Sequence, residues 1–410
     1  FEPGSLVQVH LDSSNALAAE VLDFEGDGVV DASLCKRKGL YTFTEEPTGQ
    51  GRYAKVFTAL HSNTGAQRAI KVIPKSGLPR LGGVVHCREL EVLRRVDHPN
   101  VVRLYEAFDD DSALYLVMEM LEGGDLLERV NGKRERMPMS EISAVFAQML
   151  CAVHHLWSLG VSHRDLKPEH FLFSQREPER GNLCPAEAAT KLIDFGLSRY
   201  LGTLGGPSQK SWASFPAMSA ELTPRTGTDG FMAPEVDRGH ADAELLDRID
   251  MWSLGVVLHI MLTGRYVSPR LMKMETKDVE EYFSSPLWGN TDATCLDLLV
   301  MLLQVDPRIR LTVDKAMKHP FVANALGPPC EGLLARLPIA TRALVCSYGL
   351  RRLTLCAVAR ETDDCHLAKV RRLFQHLQAV CGGALTCNAL RHVASKSLGS
   401  SLGSAAAGLG

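Results

Sequence analysis

The sequence predicts an α+β protein with two lobes, a small antiparallel sheet followed by a mainly helical lobe. β-Branched and aromatic residues run from Tyr41 to about Val72 and are interrupted by "TGQG" and "NTG", as in antiparallel hairpins. Two long apolar patterns come later, "EISAVFAQMLCAVHHLWSLG" and "DMWSLGVVLHIMLTG", and each closes at a glycine as helices do. A length of 410 residues exceeds what one hydrophobic core usually serves, which favours more than one domain.

The elements follow one another in that order along the chain. After the first hairpins, "CRELEVLRRV" has helical spacing, with Leu90, Leu93 and Val96 recurring at every third residue. "ALYLVMEM" then predicts a buried strand that completes the sheet. After "LEGGD" the pattern becomes mostly helical, and the two long helices are expected to end at Gly160 and Gly264.

Composition excludes several classes of protein. Hydrophobic residues make up 45% of the chain and charged residues 23%, which is ordinary for a globular protein. The formal net charge of −3 implies no general attraction to nucleic acid or anionic membranes. The 11 cysteines show no CxxC pair and no zinc-ligand spacing, so a reducing, cytoplasmic environment is expected. No stretch approaches the roughly 18 apolar residues of a membrane span.

A series of short motifs indicates the chemistry. A lone glycine pair such as that in "TGQGRYAKV" is more often a hairpin turn than a phosphate cradle, so the order of the whole series is the specific signal. The series comprises Gly49 and Gly51, Lys71 in "AIK", Glu89 in the first helix, Asp165 and Lys167 in "HRDLK", Asp194 in "DFG", and Glu235 in "APE". In this order the motifs resemble the eukaryotic protein kinase family from about Tyr41 to Val322.

Within that family, "FGLSRY", "RVDHPNVVRLYEAF" and "LEGGDLLERV" look most like the calcium-dependent, calcium/calmodulin-related branch. The resemblance implies a bilobal protein-kinase fold and transfer of the γ-phosphate of ATP to a protein hydroxyl, with Mg²⁺ as cofactor. Phosphoryl transfer requires little covalent chemistry from the protein, so the site would work by positioning and by neutralising charge.

The resemblance assigns a role to each catalytic residue. Lys71 would contact the α and β phosphates and be held there by an ion pair with Glu89. Asp194 would bind magnesium, and Asp165 would orient the substrate hydroxyl and accept its proton. Lys167 would neutralise the moving γ-phosphate, and "HRDLK" favours a serine/threonine substrate.

Further residues are expected around ATP or as supports of the site. Ala54 replaces the third glycine of the family, a small change that should be tolerated. Asp250 is expected to brace the catalytic loop, Arg310 to pair with Glu235, and Arg164 to pair with a phosphate on the activation segment. The residues expected to contact the nucleotide are Gly49, Gln50, Gly51, Arg52, Tyr53, Ala54, Val56, Ala69, Lys71, Met118, Glu119, Leu121 and Asp125.

His170 departs from the family pattern. The family has an asparagine here, whose amide oxygen ligates a second magnesium ion and whose amide steadies the catalytic aspartate. Magnesium prefers hard oxygen ligands, so an imidazole is a poor replacement. We therefore expect a neutral histidine hydrogen-bonded to Asp165, with direct metal ligation as the alternative.

The activation segment is unusually long, because 235 − 194 places Glu235 41 residues after Asp194. Its insert is rich in Gly, Pro and Ser, which predicts mobility. Thr228 in "TGTDGFMAPE" matches the family's threonine beside the substrate platform and is a candidate phosphosite. Further candidate phosphoacceptors are Ser208, Ser211, Ser214 and Thr223.

The tail resembles the junction and first EF-hand of calcium-dependent protein kinases. Aligned as a calcium loop, residues 378–389 place Gln378, Val380, Gly382 and Ala389 at ligand positions, with no carboxylate among them. We expect no calcium binding there. The tail is then either a packed helical pair or a pseudosubstrate-like cap over the catalytic lobe, and packing is preferred.

The predicted organisation is an N-terminal extension (1–40), a kinase domain (41–325), a junction with a degenerate EF-hand-like region (335–394) and a low-complexity tail (395–410). The predicted function is an ATP-dependent serine/threonine protein kinase with reduced activity. The alternative is a pseudokinase that acts as a nucleotide-binding scaffold; a calcium sensor is disfavoured by the loop composition. Glu169 and Asp125 lie where related kinases meet basic residues upstream of the target, so basic protein substrates are expected.

Overall fold

A computed structural model describes residues 6–11, 17–22, 40–50, 54–81, 84–132, 136–175, 189–200, 227–239, 245–268, 271, 276–289 and 291–326. The described residues form two compact units. The first unit takes those up to Leu121 together with 194–196, and the second takes the remainder. The first is mainly strand and the second mainly helix, so the predicted α+β architecture with a sheet unit and a helical unit is confirmed.

The first unit is built on an antiparallel sheet of six strands. The strands of this unit are β1 (Leu6–Leu11), β2 (Leu17–Leu22), β3 (Tyr41–Phe43), β4 (Gly49–Gln50), β5 (Lys55–His61), β6 (Gln67–Pro74), β7 (Arg80–Leu81), β8 (Val84–Val85), β9 (Leu104–Asp109) and β10 (Ala113–Glu119). The spatial order in the six-stranded sheet is β3-β5-β6-β10-β9, with the short β4 paired to β5. Strands β1 and β2 form a separate hairpin.

Aromatic side chains form the core on one face of this sheet. The ring of Phe108 stacks on Tyr115 at 4.9 Å and on Tyr41 at 6.0 Å between centroids. Val117 and Ile70 are fully buried in the same cluster. Side chains alternate between the two faces along a strand. Since Ile70 lies in this core, its neighbours on β6, Ala69 and Lys71, lie on the opposite face of the sheet.

The first helix of the sequence pattern is present but short. Helix α1 spans Arg88–Leu93, and its apolar residues Leu90 and Leu93 are buried as predicted. Val96 is also buried, although it lies beyond the end of the helix. The helix buries Glu89 as well, which brings this carboxylate under the sheet toward Lys71.

The second unit is organised around two long helices. Helix α3 (Met139–Ser158) and helix α5 (Leu246–Thr263) end before Gly160 and Gly264, whose φ angles of 70° and 68° are left-handed, so both predicted ends are confirmed. Helix α5 is buried along almost its whole length. The other helices are α2 (Leu126–Gly132), α4 (Pro234–Asp237), α6 (Thr276–Phe283), α7 (Ala293–Leu302), α8 (Val313–Met317) and α9 (Pro320–Leu326). Among the helices that the structure describes, none is long and apolar enough to cross a membrane.

Short strand pairs frame the loops of the second unit. Strand β11 (Val161–Ser162) pairs with β14 (Arg199–Tyr200), and β12 (Phe171–Phe173) pairs with β13 (Thr190–Leu192). The loop between β11 and β12 contains the "HRDLK" motif and ends in a 3-10 turn, Pro168–His170.

Gly123 allows the backbone of "LEGGD" to lie against the end of β12. Its amide donates to the carbonyl oxygen of Phe173 at 2.9 Å, and the Phe173 amide donates back to Gly124 at 3.0 Å. A Cβ added at Gly123 would lie 2.8 Å from the Phe173 carbonyl oxygen and closer still to that of Gln175. A side chain at this position would force the two backbones apart.

Candidate active site

Lys71, Glu89 and Asp194 form one charged cluster in the first unit. Lys71 Nζ lies 2.7 Å from both carboxylate oxygens of Glu89 and 3.0 Å from Asp194 Oδ1. Burial by itself lowers the pKa of Lys71, but the carboxylates of Glu89 and Asp194 outweigh it and raise the pKa above its ordinary value. The lysine therefore remains an ammonium ion, the form that its expected role beside the phosphates needs.

Asp194 adopts a strained backbone conformation. Among the described residues, Asp194 and Arg164 are the two non-glycine residues with positive φ, at 62° and 65°. The Asp194 carboxylate accepts from the amide of Gly196 at 3.3 Å, and its side chain is 40% exposed. An exposed carboxylate beside the Lys71 ammonium fits magnesium, which prefers hard oxygen ligands.

Asp250 holds the catalytic loop from below. Its carboxylate accepts from Ser162 Oγ at 3.0 Å and from the amides of His163 and Arg164, both at 2.8 Å. Burial raises the pKa of the Asp250 carboxyl, and these donors oppose that shift. The guanidinium of Arg164 is held by another segment, since its Nε donates to the carbonyl oxygen of Leu197 at 2.9 Å. The sequence predicted the brace but not Ser162, since a serine before "HRD" has no distinguishing signal.

The carboxylate of Asp165 is oriented by Thr228 and Lys167. The Thr228 hydroxyl donates to Asp165 Oδ1 at 2.7 Å and accepts from Lys167 Nζ at 3.0 Å. Lys167 Nζ also lies 3.5 Å from Asp165 Oδ2. This hydrogen bonding makes Thr228 part of the Asp165 environment, a contact that its motif did not reveal. Its use as a phosphosite stays a prediction.

His170 lies against the backbone of Asp165. Its Nδ1 is 2.7 Å from the Asp165 carbonyl oxygen and 3.7 Å from Asp165 Oδ2. Because a carbonyl oxygen only accepts, Nδ1 bears the hydrogen and cannot at the same time bind a metal. The expected contact with Asp165 is therefore present, and its partner is the backbone. The amide of Ile193 donates to the His170 carbonyl at 2.9 Å, which fixes the loop further.

Glu235 and Arg310 form a buried, two-pronged ion pair. Arg310 Nη1 and Nη2 lie 2.7 and 2.9 Å from the two oxygens of Glu235. Arg310 also donates Nε to the carbonyl oxygen of Gln304 at 2.8 Å. The expected pairing of Arg310 with Glu235 is therefore present, and it anchors the segment that runs from Thr228 to Glu235.

Met118 and Glu119, two of the residues expected to contact the nucleotide, lie at the end of β10. Ala69 is the strand partner of Met118, and Val56 is the partner of Lys71. The Glu119 amide donates to the Arg103 carbonyl oxygen at 3.0 Å, and its carboxylate accepts from the Arg103 amide at 2.6 Å. The side chain of Glu119 is thus held by its own unit.

Asp125 has a structural partner. Its carboxylate accepts from the Glu128 amide at 2.8 Å, and Glu128 accepts in turn from the Asp125 amide at 3.4 Å. This reciprocal arrangement caps the start of helix α2. Gly49 and Gln50 form β4, and Ala54 and Leu121 are described in the first unit.

Several predicted residues lie outside the described residues. They are Gly51, Arg52 and Tyr53 of the glycine loop, Ser208, Ser211, Ser214 and Thr223 of the activation segment, and the tail at 335–394 with its loop 378–389.

Three features together define the protein kinase class. They are the Lys71–Glu89 pair with the adjacent Asp194, the loop that holds Asp165 and Lys167, and the buried Glu235–Arg310 ion pair. Residues 43–322 match the family described as protein kinase domain. Since the match covers more than half of the 410 residues, the chain belongs to this family.

Individual relatives agree. The chain is 28% identical over 359 residues to calcium-dependent protein kinase 3 of Plasmodium berghei, covering 86% of this chain and 59% of the relative. It is 30% identical over 378 residues to CDPK-related kinase 5 of Arabidopsis thaliana, covering 88% and 58%. It is 33% identical over 319 residues to the serine/threonine-protein kinase RAD53 of Saccharomyces cerevisiae, covering 73% and 35%. The predicted resemblance to the calcium-dependent branch is confirmed, and the chain spans 59% or less of each relative's length.

Proposed function

We propose that the protein is an ATP- and Mg²⁺-dependent serine/threonine protein kinase with reduced turnover. The observation that supports this most directly is the environment of Asp165. Thr228 and Lys167 orient its carboxylate, and His170 holds its backbone carbonyl. A residue that must accept a proton at a defined position needs such fixing.

The two clusters take different parts of the reaction. In the first unit, the Lys71 ammonium binds the α and β phosphates of ATP, while Glu89 keeps its position. Asp194 is the residue that would hold magnesium, which supplies charge neutralisation at the phosphates when bound. In the second unit, Asp165 orients the substrate hydroxyl and takes its proton, and Lys167 neutralises charge on the group being transferred.

Reduced turnover follows from His170. In the family the asparagine at this position both ligates the second magnesium ion and steadies the catalytic aspartate. The imidazole performs the steadying role through its bond to the Asp165 carbonyl, but it offers no hard oxygen ligand. Interactions made mainly in the transition state affect kcat, so the loss should appear in turnover more than in ATP affinity.

The second candidate is a pseudokinase that binds nucleotide as a scaffold, and the loss of the amide oxygen at His170 favours it. A thermal-shift titration with ATP, with and without magnesium, and a phosphate-transfer assay on a basic peptide separate the two. A kinase shows a magnesium-dependent shift and incorporation of phosphate that Asp165→Asn abolishes. A nucleotide-dependent shift with no incorporation above the Asp165→Asn background identifies the pseudokinase.

Protein substrates with basic residues upstream of the target fit Glu169. Its Oε2 is buried and has no hydrogen-bond partner among the described residues, whereas Asp125 is engaged at the start of α2. Glu169 as a whole is half-buried, and a cationic side chain that paired with its carboxylate would supply the missing donor. We expect Glu169→Gln to lose the preference for an arginine-containing peptide over its alanine counterpart. Asp125→Asn should weaken the same preference, whereas Asp111→Asn, at an exposed position in the turn between β9 and β10, is the matched control and should retain it.

A further inference from the structure

Two side chains at the start of helix α5, those of Asp250 and Arg248, help to hold the catalytic loop in different ways. Asp250 binds the loop directly through Ser162 and the His163 amide. Arg248 lies two residues earlier, and its side chain is only 16% exposed. It turns toward the loop before helix α8, which contains Arg310.

Arg248 and Arg310 hold each other by a reciprocal pair of hydrogen bonds. Arg310 Nη1 donates to the carbonyl oxygen of Arg248 at 2.7 Å. Arg248 Nη1 donates to the carbonyl oxygen of Arg310, and it also lies 3.5 Å from the Pro307 carbonyl oxygen. The remaining Nε of Arg248 is paired with Asp247 Oδ2 at 2.9 Å. Each guanidinium is thus fixed against the backbone of the other residue.

The reciprocal Arg248–Arg310 hydrogen bonds connect to Asp165 through a short series of contacts. Arg310 binds both oxygens of Glu235, and Glu235 lies in the segment that begins at Thr228. Thr228 donates to Asp165 Oδ1 at 2.7 Å. Because Arg248 fixes the backbone of Arg310, it also limits where the Arg310 guanidinium, and hence the Thr228 segment, can lie.

We propose that Arg248 is a positioning residue for phosphoryl transfer, acting through Arg310 and Glu235 on the segment that orients Asp165. The inference rests on the proposed function. The hydrogen bonds that the structure gives the Arg248 guanidinium go to Asp247, Pro307 and Arg310, so its effect should appear in kcat and leave the KM for ATP unchanged.

The test compares Arg248→Met with Arg248→Lys and with Arg308→Met. Arg308 is an exposed arginine of the same loop, so its variant is the matched control and should keep native kcat. Arg248→Met should lower kcat by about tenfold, the change in rate that corresponds to losing one charge-assisted hydrogen bond. Arg248→Lys should restore part of it, because an ammonium can still donate to the Arg310 carbonyl.

Loss of Arg248 also leaves Asp247 without its cation, and that effect must be separated. The double variant Asp247→Asn/Arg248→Met removes the unpaired carboxylate. If its kcat stays low while its thermal stability returns to native, positioning is supported. If kcat recovers with stability, or if Arg248→Met alone is as active as native protein, the proposal is wrong.

Hydrogen exchange makes the inference testable apart from activity. The amides of Phe231 and Val236 donate to Thr228 and Ala233 within the affected segment, at 3.1 and 3.0 Å. Arg248→Met should speed exchange at these amides, whereas exchange in helix α3 should not change. Native protein that transfers no phosphate would refute the proposed kinase function, and exchange would then decide the role of Arg248. Unchanged exchange at both amides would refute that role.

Discussion

Replacing His170 tests the two roles that a single residue has in the catalytic loop. His170→Ala removes the group that donates to the Asp165 carbonyl oxygen. That hydrogen bond is 2.7 Å long, and the His170 side chain is only 10% exposed. Leaving a buried acceptor without its donor costs about 1–3 kcal/mol. If the bond is needed in the transition state, kcat should fall about 5- to 160-fold. His170→Asn keeps a donor and adds an amide oxygen, so kcat should rise by about tenfold, or about 1.4 kcal/mol.

The assay is steady-state phosphate transfer to a basic peptide at several magnesium concentrations. The KM for ATP should change little in either variant, because Lys71 and Asp194 remain. Thermal unfolding checks that both variants are folded. His61→Asn, at the end of β5, is the matched histidine-to-asparagine control and should leave kcat at the native value.

Two results would refute this reasoning. An unchanged kcat in His170→Ala would show that the bond to the Asp165 carbonyl is unimportant for catalysis. A His170→Asn variant that gains nothing over an already fast native protein would show that no second oxygen ligand is missing. If neither native protein nor His170→Asn transfers phosphate, the pseudokinase is the correct assignment.

Three other predictions follow from described contacts. Lys71→Met should abolish phosphate transfer because the phosphates lose their cation. It also leaves Glu89 buried without its partner, so the double variant Lys71→Met/Glu89→Gln should melt at a higher temperature than Lys71→Met and still be inactive. Measurable transfer in either variant would contradict the assignment. Gly123→Ala should lower the free energy of unfolding by at least about 1–3 kcal/mol, measured by urea denaturation, and native stability would show that the two backbones separate freely. Burial lowers the pKa of His154 and of His259, so the unfolded chain takes up protons that the folded chain does not. The free energy of unfolding should therefore decrease as pH falls below about 6.5. A free energy of unfolding that stays constant between about pH 8 and pH 5 would contradict this.

The kinds of element and their order could be predicted from sequence because they depend on local pattern. The short, nearly continuous apolar run "ALYLVMEM" predicted the strand Ala113–Glu119, and the apolar stripes predicted the helices that end near Gly160 and Gly264. An apolar run and a helical period are properties of neighbours in the chain, so they can be recognised without knowledge of the fold. The motif series likewise predicted Lys71 and Glu89 as partners, and they are 2.7 Å apart.

What the tertiary structure decided is which atoms of distant residues meet. The contact of Thr228 with Asp165 joins residues 63 positions apart, and that of Arg310 with Glu235 joins residues 75 apart. Neither motif states which side-chain atom faces which partner, because that depends on how the intervening helices pack. His170 shows the limit most directly. Sequence indicated that it would bond to Asp165, but only the turn of the backbone after Lys167 determined that Nδ1 donates to the carbonyl oxygen at 2.7 Å and lies 3.7 Å from the carboxylate.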